Sequence, residues 1–271
     1  MGWRAIARCA TGTSHQKQQM PCQDYSDYQV LNDTIVGAVA DGAGSAIYAD
    51  IGAHLAVQTA LEHLTLEQKH SCKPTPESFS EEEARQLFVK IFEQVVSALQ
   101  QQAASGGYSV ADLACTLLVF VATSNWVAAM QIGDGFIVVR QEKQEHILLF
   151  PPNKGEYINE TTFVTSANAL DAMRVCVRTG KQEFICAATD GLERVAIRMS
   201  DWTPFTPFFQ PLEDYLRKIS VPEQEDKYLM SFLDSDKLNA RTDDDKTLLL
   251  CLFEGHQSSC SSLIDFSYQL E

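Results

Sequence analysis

The stretch TIVGAVADGAGS, residues 34–45, carries the pattern that guides our interpretation of the fold. Its first part, Thr34–Ala40, is a compact apolar run that contains Val and Ile, which predicts a buried strand. Asp41-Gly42 follow where that strand ends. An Asp-Gly pair by itself most often marks a tight turn, so this single occurrence does not identify a functional site.

The same arrangement of an apolar run beside acidic residues occurs three more times. We expect the ends of buried strands to converge, so their Asp side chains would be partly desolvated like charges. Such charges are tolerated when they are neutralised or bind a cation. Oxygen ligands without Cys or His suit Mg²⁺ or Mn²⁺, and a Gly after Asp lets its carbonyl approach. The three other segments are Gly133-Asp134-Gly135, Asp190-Gly191 and Arg241–Asp245.

Clusters of strands and long helices that do not alternate regularly predict the α+β class. We interpret residues 1–271 as a single domain, with residues 255–271 as a tail of uncertain structure. Helices are predicted from Gly44, from Ser80 in a capping box with Glu83, and near residues 207–219 and 223–233. Further strands are predicted over Trp3–Cys9, Cys115–Val121, Trp126–Ile132, Phe136–Arg140, His146–Phe150, Arg174–Arg178, Glu183–Ala188 and Lys246–Phe253.

Short connections predict how some of these strands pair. The four runs between Cys115 and Phe150 are expected to form one antiparallel meander. The two runs around Thr179-Gly180 are expected to pair with each other. Thr11–Gln23 and Pro151–Asn168 are predicted to be loops, and the length of the second indicates a functional role.

Charge and cysteine usage exclude several classes of protein. The 271 residues carry a formal net charge of −15, which argues against a nucleic acid or an anionic membrane held by charge. No apolar run approaches the length of about 18 residues that a membrane span requires. The eight cysteines contain no C-x-x-C pair, so we expect a reduced, cytoplasmic protein without a zinc site.

Taken in order, these motifs resemble those of metal-dependent serine/threonine protein phosphatases of the PPM, or protein phosphatase 2C-like, type. Each motif alone is common, whereas their order and spacing agree from about residue 4 to residue 254. The stretch from Gly155 to Thr165 further resembles a compact bacterial branch of the family. The segments that carry the resemblance are Cys22-Gln23-Asp24, residues 40–45, Ala114-Cys115-Thr116, Gly133-Asp134-Gly135, residues 189–192 and residues 244–247.

The resemblance implies a four-layer αββα sandwich, in which two antiparallel sheets are flanked by helices. It also implies two Mn²⁺ or Mg²⁺ ions at one end of the sandwich. The activity that it implies is hydrolysis of phosphoprotein monoesters by a water or hydroxide that bridges the metals.

The resemblance further implies a role for each acidic motif. Asp41-Gly42 would supply a carboxylate that bridges both metals and a carbonyl that binds one of them. Asp190 and Asp244 would complete the ligands of the second metal, and Asp24 would act through metal-bound water. Asp134, with Asp190, is the candidate for a third metal. The Pro151–Asn168 loop falls where the family's flap lies, which implies a contribution to substrate choice rather than to chemistry.

The sequence departs from the family pattern in three ways. The usual Arg and Glu of the loop before the first acidic motif are replaced by Gln19 and Gln23, so His15 or Lys17 is the candidate for binding the substrate phosphate. Ala43 stands where some members carry a His that protonates the leaving group. The carboxylate expected after Asp190-Gly191 for a third metal has no clear counterpart, because Glu193 lies one place early.

Two alternatives to an active phosphatase stay open at this point. A degenerate phosphatase fold could bind phosphoprotein without turnover, which the missing Arg and Glu favour and the retained acids oppose. A two-metal nuclease would fit the carboxylates, but the net charge of −15 opposes it. The expected partners are phosphoserine and phosphothreonine proteins, including the substrates of a cognate kinase, and the expected state is a monomer.

Overall fold

The computed structural model describes residues 2–70, 78–152, 161–219, 221, 226 and 228–254, and these residues form two five-stranded antiparallel sheets. One sheet has the order β1-β12-β9-β6-β7 and the other has the order β2-β3-β4-β5-β8. Their strands are β1 (Gly2–Ala10), β2 (Tyr25–Leu31), β3 (Thr34–Ala40), β4 (Leu117–Ala122), β5 (Trp126–Ile132), β6 (Phe136–Gln141), β7 (His146–Leu148), β8 (Arg174–Thr179), β9 (Gln182–Ala188) and β12 (Lys246–Glu254).

Helices cover the outer face of both sheets. Two long helices pack on the β3-β4-β5 side, while shorter ones pack on the β9-β12 side. A small hairpin, β10 (Ile197–Arg198) with β11 (Thr203–Pro204), stands apart from the sheets. The helices are α1 (Thr13–Gln18), α2 (Ala49–His70), α3 (Glu81–Gly106), α4 (Ala169–Ala172), α5 (Glu193–Ala196), α6 (Thr206–Lys218), α7 (Leu229–Leu233) and α8 (Asp236–Asn239).

Burial on both faces explains why the strands are continuous apolar runs. In β3, Ile35 and Val39 pack between the sheets, while Val36 and Ala38 pack against the helices. Alternate residues therefore serve two different cores, and neither face needs a polar side chain. The expected four-layer αββα sandwich of the α+β class is confirmed.

The predicted strand pairings around two turns are wrong. β5 pairs with β4 and β8, whereas β6 pairs with β7 and β9, so Gly133-Asp134-Gly135 crosses from one sheet to the other. In the same way β8 and β9 lie in different sheets. Short turns usually join neighbouring strands, but here each strand has a better apolar partner elsewhere. The crossing at residues 133–135 places acidic residues from both sheets at one end of the sandwich, whereas the crossing after Thr179 lies at the opposite end, beside Trp126.

Two predictions about helices also need correction, one at a predicted loop and one at a helix start. Thr11–Gln23 contains the short helix α1, which is anchored from outside because Asp243 O accepts the Ser14 N–H at 2.9 Å. Helix α2 begins at Ala49 and not at Gly44, and Ile47, which precedes it, is 73% exposed. Helix α3 agrees with prediction, including the Ser80–Glu83 capping box.

Three other expectations have separate outcomes. Of the helix predicted over 223–233, the structure describes only α7, and the tail from residue 255 lies outside the described residues. Six cysteines in the described part of the chain are unpaired, as expected. None of the helices that the structure describes has the length and apolar character of a bilayer span.

A buried ionic network around Glu213 joins α6 to the outer face of the sheet that contains β6, β9 and β12. Glu213 of α6 accepts hydrogen bonds from Arg140 Nε at 2.9 Å and from Arg217 at 2.6 Å, and His146 Nε2 lies 3.5 Å away. Burial by itself would raise the pKa of Glu213, but His146 beside it and the hydrogen bonds from Arg140 and Arg217 outweigh burial and hold that pKa well below its usual value. The carboxylate is therefore ionised in the folded protein.

Replacing Glu213 by Gln is expected to lower the free energy of unfolding at pH 7 by about 3 kcal/mol, because Arg140 loses its buried partner. A depressed pKa stabilises the fold above the unfolded-state value of about 4.3, and this contribution disappears as the pH falls further. The difference between wild type and Glu213→Gln should therefore shrink progressively in urea unfolding repeated at pH 4, pH 3 and pH 2, with most of the decrease below pH 4. Glu93→Gln, at an exposed position of α3, is the control, and an equal loss there would contradict the assignment.

Candidate functional site

Acidic residues from both sheets meet at one end of the sandwich. Tyr25 pairs with Ala40, so Asp24 and Asp41 lie at the same edge of one sheet. Leu248 and Phe136 both pair with Ala188, so the residues before β12, before β6 and after β9 lie at one edge of the other. The crossing at residues 133–135 brings the two edges together.

Three carboxylates form the centre of this group. Asp41, Asp134 and Asp190 each offer an oxygen, and these oxygens all lie within 4.8 Å of one another. The three side chains are half-buried. This spacing matches an all-oxygen set around hard divalent cations, so the convergence predicted for these three motifs is confirmed by the geometry.

The backbone on both sides of Asp41 is fixed by neighbouring chain. The Asp41 N–H donates to Thr116 Oγ1 at 3.0 Å, and Asp41 O accepts the Thr116 N–H at 2.8 Å. Gly42 donates its N–H to Gln23 O at 3.1 Å. A Cβ at Gly42 would lie 2.8 Å from the Ala49 backbone, so the start of α2 packs directly on this turn.

Asp24 lies deeper than the other acids and is only partly satisfied. Thr189 Oγ1 donates to Asp24 Oδ2 at 2.7 Å and also accepts the Thr247 N–H at 3.2 Å. Asp24 Oδ1 is buried and has no hydrogen-bond partner among the described residues. Such an orphaned oxygen is expected where a carboxylate serves a bound ion or an ordered water.

The raised pKa values show that the carboxylates of the cluster do not all ionise in the absence of a cation. Burial, followed by the charges of Asp24 and Asp190, raises the pKa of Asp41 far above its usual value. Burial, followed by the charges of Asp134 and Asp244, raises the pKa of Asp190. Like charges in a desolvated site ionise together only when a cation offsets them. The residues present therefore fit divalent metal ions.

Asp244 lies at the edge of this cluster. Its side chain is exposed, and Oδ1 accepts the Asp245 N–H at 2.9 Å. Its charge nevertheless acts on both Asp41 and Asp190. The buried Lys246 Nζ donates a hydrogen bond to the carbonyl of Asp244 at 3.4 Å.

Asp245 organises the loop that carries His15. It is 2% exposed, and its two oxygens accept the N–H groups of Gly12 and Gln23, each at 2.6 Å. His15 Nδ1 lies 3.0 Å from Asp245 Oδ2. A Cβ on Gly12 would collide with the Asp244 backbone, so glycine permits the close approach that these bonds need.

The two candidates for phosphate binding differ in their surroundings. His15 is half-buried, and its charge opposes the rise in the pKa of Asp244. Lys17 is exposed and forms no hydrogen bond or ion pair with the residues described. Gln19 is also exposed, whereas Gln23 is buried with Oε1 unpartnered in the described part of the chain.

Four contributors escaped the sequence prediction. Asp245 and Thr189 lie within the acidic motifs, but the sequence pattern did not indicate that their side chains are buried. Thr161, whose hydroxyl donates to Asp134 Oδ2 at 2.6 Å, gave no signal at all. Glu193 was judged one place early. It lines the same pocket as Asp134, and burial, followed by the charges of Asp190 and Asp134, raises its pKa to about 7.

Comparison with known proteins decides the family. A family model described as protein phosphatase 2C matches residues 11–234. The chain belongs to the protein phosphatase 2C family. Serine/threonine-protein phosphatase 3 of Escherichia coli (strain K12) is 35% identical over 263 residues, which cover 93% of this chain and 99% of that protein.

Solved structures agree on the fold. The catalytic domain of the serine/threonine protein phosphatase PstP, in complex with two manganese ions, superposes with a TM-score of 0.59 at 16% identity, covering 93% of this chain and 98% of that one. A single-residue variant of a bacterial serine phosphatase gives a TM-score of 0.60 at 13% identity, covering 93% and 98%.

These findings confirm the resemblance and the interpretation as an enzyme. The chain is a phosphoprotein phosphatase of the serine/threonine class, in a family that uses Mn²⁺ or Mg²⁺. Phosphoproteins are the substrates of such a phosphatase. The comparisons give no support to the alternative of a degenerate binding module.

Asp245→Ala is expected to lower the free energy of unfolding by about 2 kcal/mol, because the buried N–H groups of Gly12 and Gln23 lose their acceptors. In Asp245→Ala, amide hydrogen exchange at Gly12 and Gln23 should become faster than in wild type, while exchange in the neighbouring strands should change less. Asp243→Ala, which removes an exposed neighbouring acid, is the control. Equal protection of both amides in wild type and Asp245→Ala would contradict this role.

Proposed function

We propose that the chain removes phosphate from phosphoserine and phosphothreonine residues of proteins at the cluster formed by Asp41, Asp134 and Asp190. The convergence of their carboxylate oxygens within 4.8 Å carries the proposal. The all-oxygen donor set, the raised pKa values and the orphaned Asp24 Oδ1 support metal binding at this place.

We assign the metal ligands residue by residue. Asp41 and the Gly42 carbonyl would serve the first metal, while Asp41, Asp190 and Asp244 would serve the second. Asp134 is the candidate for a third metal. When bound, Mn²⁺ or Mg²⁺ supplies Lewis-acid chemistry that activates water at neutral pH and offsets charge on the phosphoryl oxygens.

The remaining residues position and polarise the reactants. Thr189 fixes Asp24 through Oδ2, which leaves Oδ1 as the atom that can accept a proton from a water molecule. Asp245 holds the loop through Gly12 and Gln23, and His15 of that loop lies against the Asp245 carboxylate. No described Ser or Cys in the cluster acts as a nucleophile in this scheme, and no phosphoenzyme is needed.

We also propose the protein's cellular setting and a role for the 151–168 segment. Unpaired cysteines in the described residues support a reducing, cytoplasmic setting. The contact of Thr161 with Asp134 supports a role for the 151–168 segment in substrate choice, although residues 153–160 lie outside the description. A single domain over residues 1–271, a monomeric state and substrates shared with a cognate kinase remain proposals.

Activity should depend on divalent metal and on the cluster. Wild type with Mn²⁺ is expected to hydrolyse p-nitrophenyl phosphate and phosphothreonine peptides, and Asp190→Ala should lose about a hundredfold or more in kcat/KM. Asp33→Asn, an exposed acid in the β2–β3 turn, should keep full activity. Wild-type turnover no higher than that of Asp190→Ala would overturn the proposal.

Metal binding has a second readout for the same pair of variants. Mn²⁺ should raise the Tm of wild type and of Asp33→Asn, because binding to the folded state stabilises it. The shift should vanish in Asp190→Ala, whose metal-free Tm should not fall, since a repelled charge has been removed. A phosphopeptide panel then separates phosphoserine and phosphothreonine from phosphotyrosine.

The contrast between His15 and Lys17 gives a separate test. His15→Gln is expected to raise KM for p-nitrophenyl phosphate by about fivefold, because an imidazole that can carry positive charge is lost near the acidic cluster. Lys17→Gln, in the same helix but exposed, should change KM by less than about twofold. The assignment of His15 fails if Lys17→Gln has the larger effect.

A further inference from the structure

A basic groove of about 640 Å³ lies beside the active site, between α5, the β10–β11 hairpin, the start of α6 and α8. We define it by four cationic side chains along its rim, Arg194, Arg198, Lys237 and Arg241. All four are exposed, and the residues that line the groove include no Asp or Glu. In a chain with a net charge of −15, such a concentration of positive charge is a local inversion.

The four cations are not used to hold the fold together. None of them forms an ion pair with a carboxylate in the described ranges, in contrast to Arg140. Asp201 lies in the hairpin turn beside Arg198, but its carboxylate accepts the N–H and hydroxyl of Thr203. Unpaired exposed cations gathered on one concave surface are free to meet an anionic partner.

The floor of the basic groove is apolar and partly open to solvent. Phe208 and Phe232 pack there with ring centroids 5.9 Å apart. Phe205 is 38% exposed and Met199 is 45% exposed. Arg198 Cζ lies 5.4 Å from the Phe205 ring centroid, so this cation is held over the floor. Large apolar side chains exposed together mark an interaction surface.

Chain connectivity ties the basic groove to the carboxylate cluster. Arg194 follows Asp190 by four residues through the turn that starts α5, and Arg241 precedes Asp244 by three residues. One helical turn rises about 5.4 Å, so the near end of the groove begins next to the cluster. An extended peptide advances about 3.3 Å per residue, so residues a few positions from a bound phosphoresidue reach the groove.

We propose that the basic groove binds an acidic segment of the protein substrate that flanks the phosphorylated residue, with an apolar side chain of that segment seated on the phenylalanine floor. This inference rests on the proposed function and names the substrate class of the same site. Charge complementarity selects the occupant, because Asp and Glu pair with the four cations while the rest of the acidic surface repels a uniformly anionic molecule such as a nucleic acid.

The test uses the full-length protein with Mn²⁺ and three phosphothreonine peptides of equal length. They differ only in four flanking positions, which hold Asp and Glu, Asn and Gln, or Lys, and each retains one Leu. Wild type should favour the acidic peptide over the neutral one by about tenfold in kcat/KM at low salt, and this preference should shrink at about 0.5 M NaCl. The basic peptide should be the poorest substrate.

The variants separate the basic groove from the overall charge. Arg198→Gln/Lys237→Gln should remove the preference for the acidic peptide through a higher KM, with kcat retained. Arg85→Gln/Lys90→Gln removes the same charge from exposed positions of α3 and should keep the preference. Turnover of p-nitrophenyl phosphate, which has no flanking residues, should stay within about twofold of wild type in both double variants.

Binding provides an arm that does not depend on catalysis. Fluorescence anisotropy with the unphosphorylated acidic peptide should show binding to wild type and to the α3 double variant, and loss of at least about tenfold in affinity in the groove variant. Equal binding by all three proteins, or equal loss in both double variants, would overturn the inference. Displacement of the peptide by inorganic phosphate or a mononucleotide at equal concentration would overturn the assignment to a peptide.

The two proposals fail in different ways. Absence of metal-dependent p-nitrophenyl phosphate turnover in wild type would defeat the proposed function, while the anisotropy result would still decide whether the groove takes an acidic peptide. Normal p-nitrophenyl phosphate turnover with no dependence on flanking charge would defeat the inference alone.

Discussion

Mutual repulsion among carboxylates at one end of the sandwich is the constraint on which the site depends. Asp41, Asp134 and Asp190 bring oxygens within 4.8 Å of one another, at a place where burial raises the pKa values of Asp41 and Asp190. Only a rigid frame keeps such groups together without a cation. The frame is the pair of sheets, whose strands are buried on both faces and end at a common edge.

Second contacts keep the acidic loops in register with that edge. Thr116 holds the backbone of Asp41 from two sides, and Thr189 links Asp24 to the start of β12. Asp245 ties Gly12 and Gln23 to the same strand. Because each of these bonds joins segments that are distant in sequence, the site assembles only when both sheets have formed.

Charge is distributed unevenly around this end of the molecule. The chain as a whole is acidic, and a phosphorylated partner would meet a repulsive field over most of its surface. The basic groove interrupts that field beside the cluster, where Arg194 and Arg241 adjoin Asp190 and Asp244 in the chain. Attraction by bound metal and attraction by the groove would therefore act on the same approaching segment.

The sequence by itself determined most strands of the two sheets, the long helices and the acidic residues of the cluster, whereas β2 and the β10–β11 hairpin were not predicted. The compact apolar run Thr34–Ala40 predicted a buried strand, Ser80 with Glu83 marked the start of α3, and Asp41, Asp134 and Asp190 followed apolar runs. These features follow from local periodicity and capping, which depend on residues a few positions apart.

Only the tertiary structure decided which strands share a sheet and which side chains support the site. The pairing of β5 with β8, and of β6 with β9, depends on apolar partners more than forty residues away, so the short turns at residues 133–135 and 179–181 misled the prediction. The same holds for the contacts of Asp245 and Thr161, and for the basic groove, whose two halves lie about forty residues apart in the chain. Packing energy is set by neighbours in space, and a local sequence pattern does not name them.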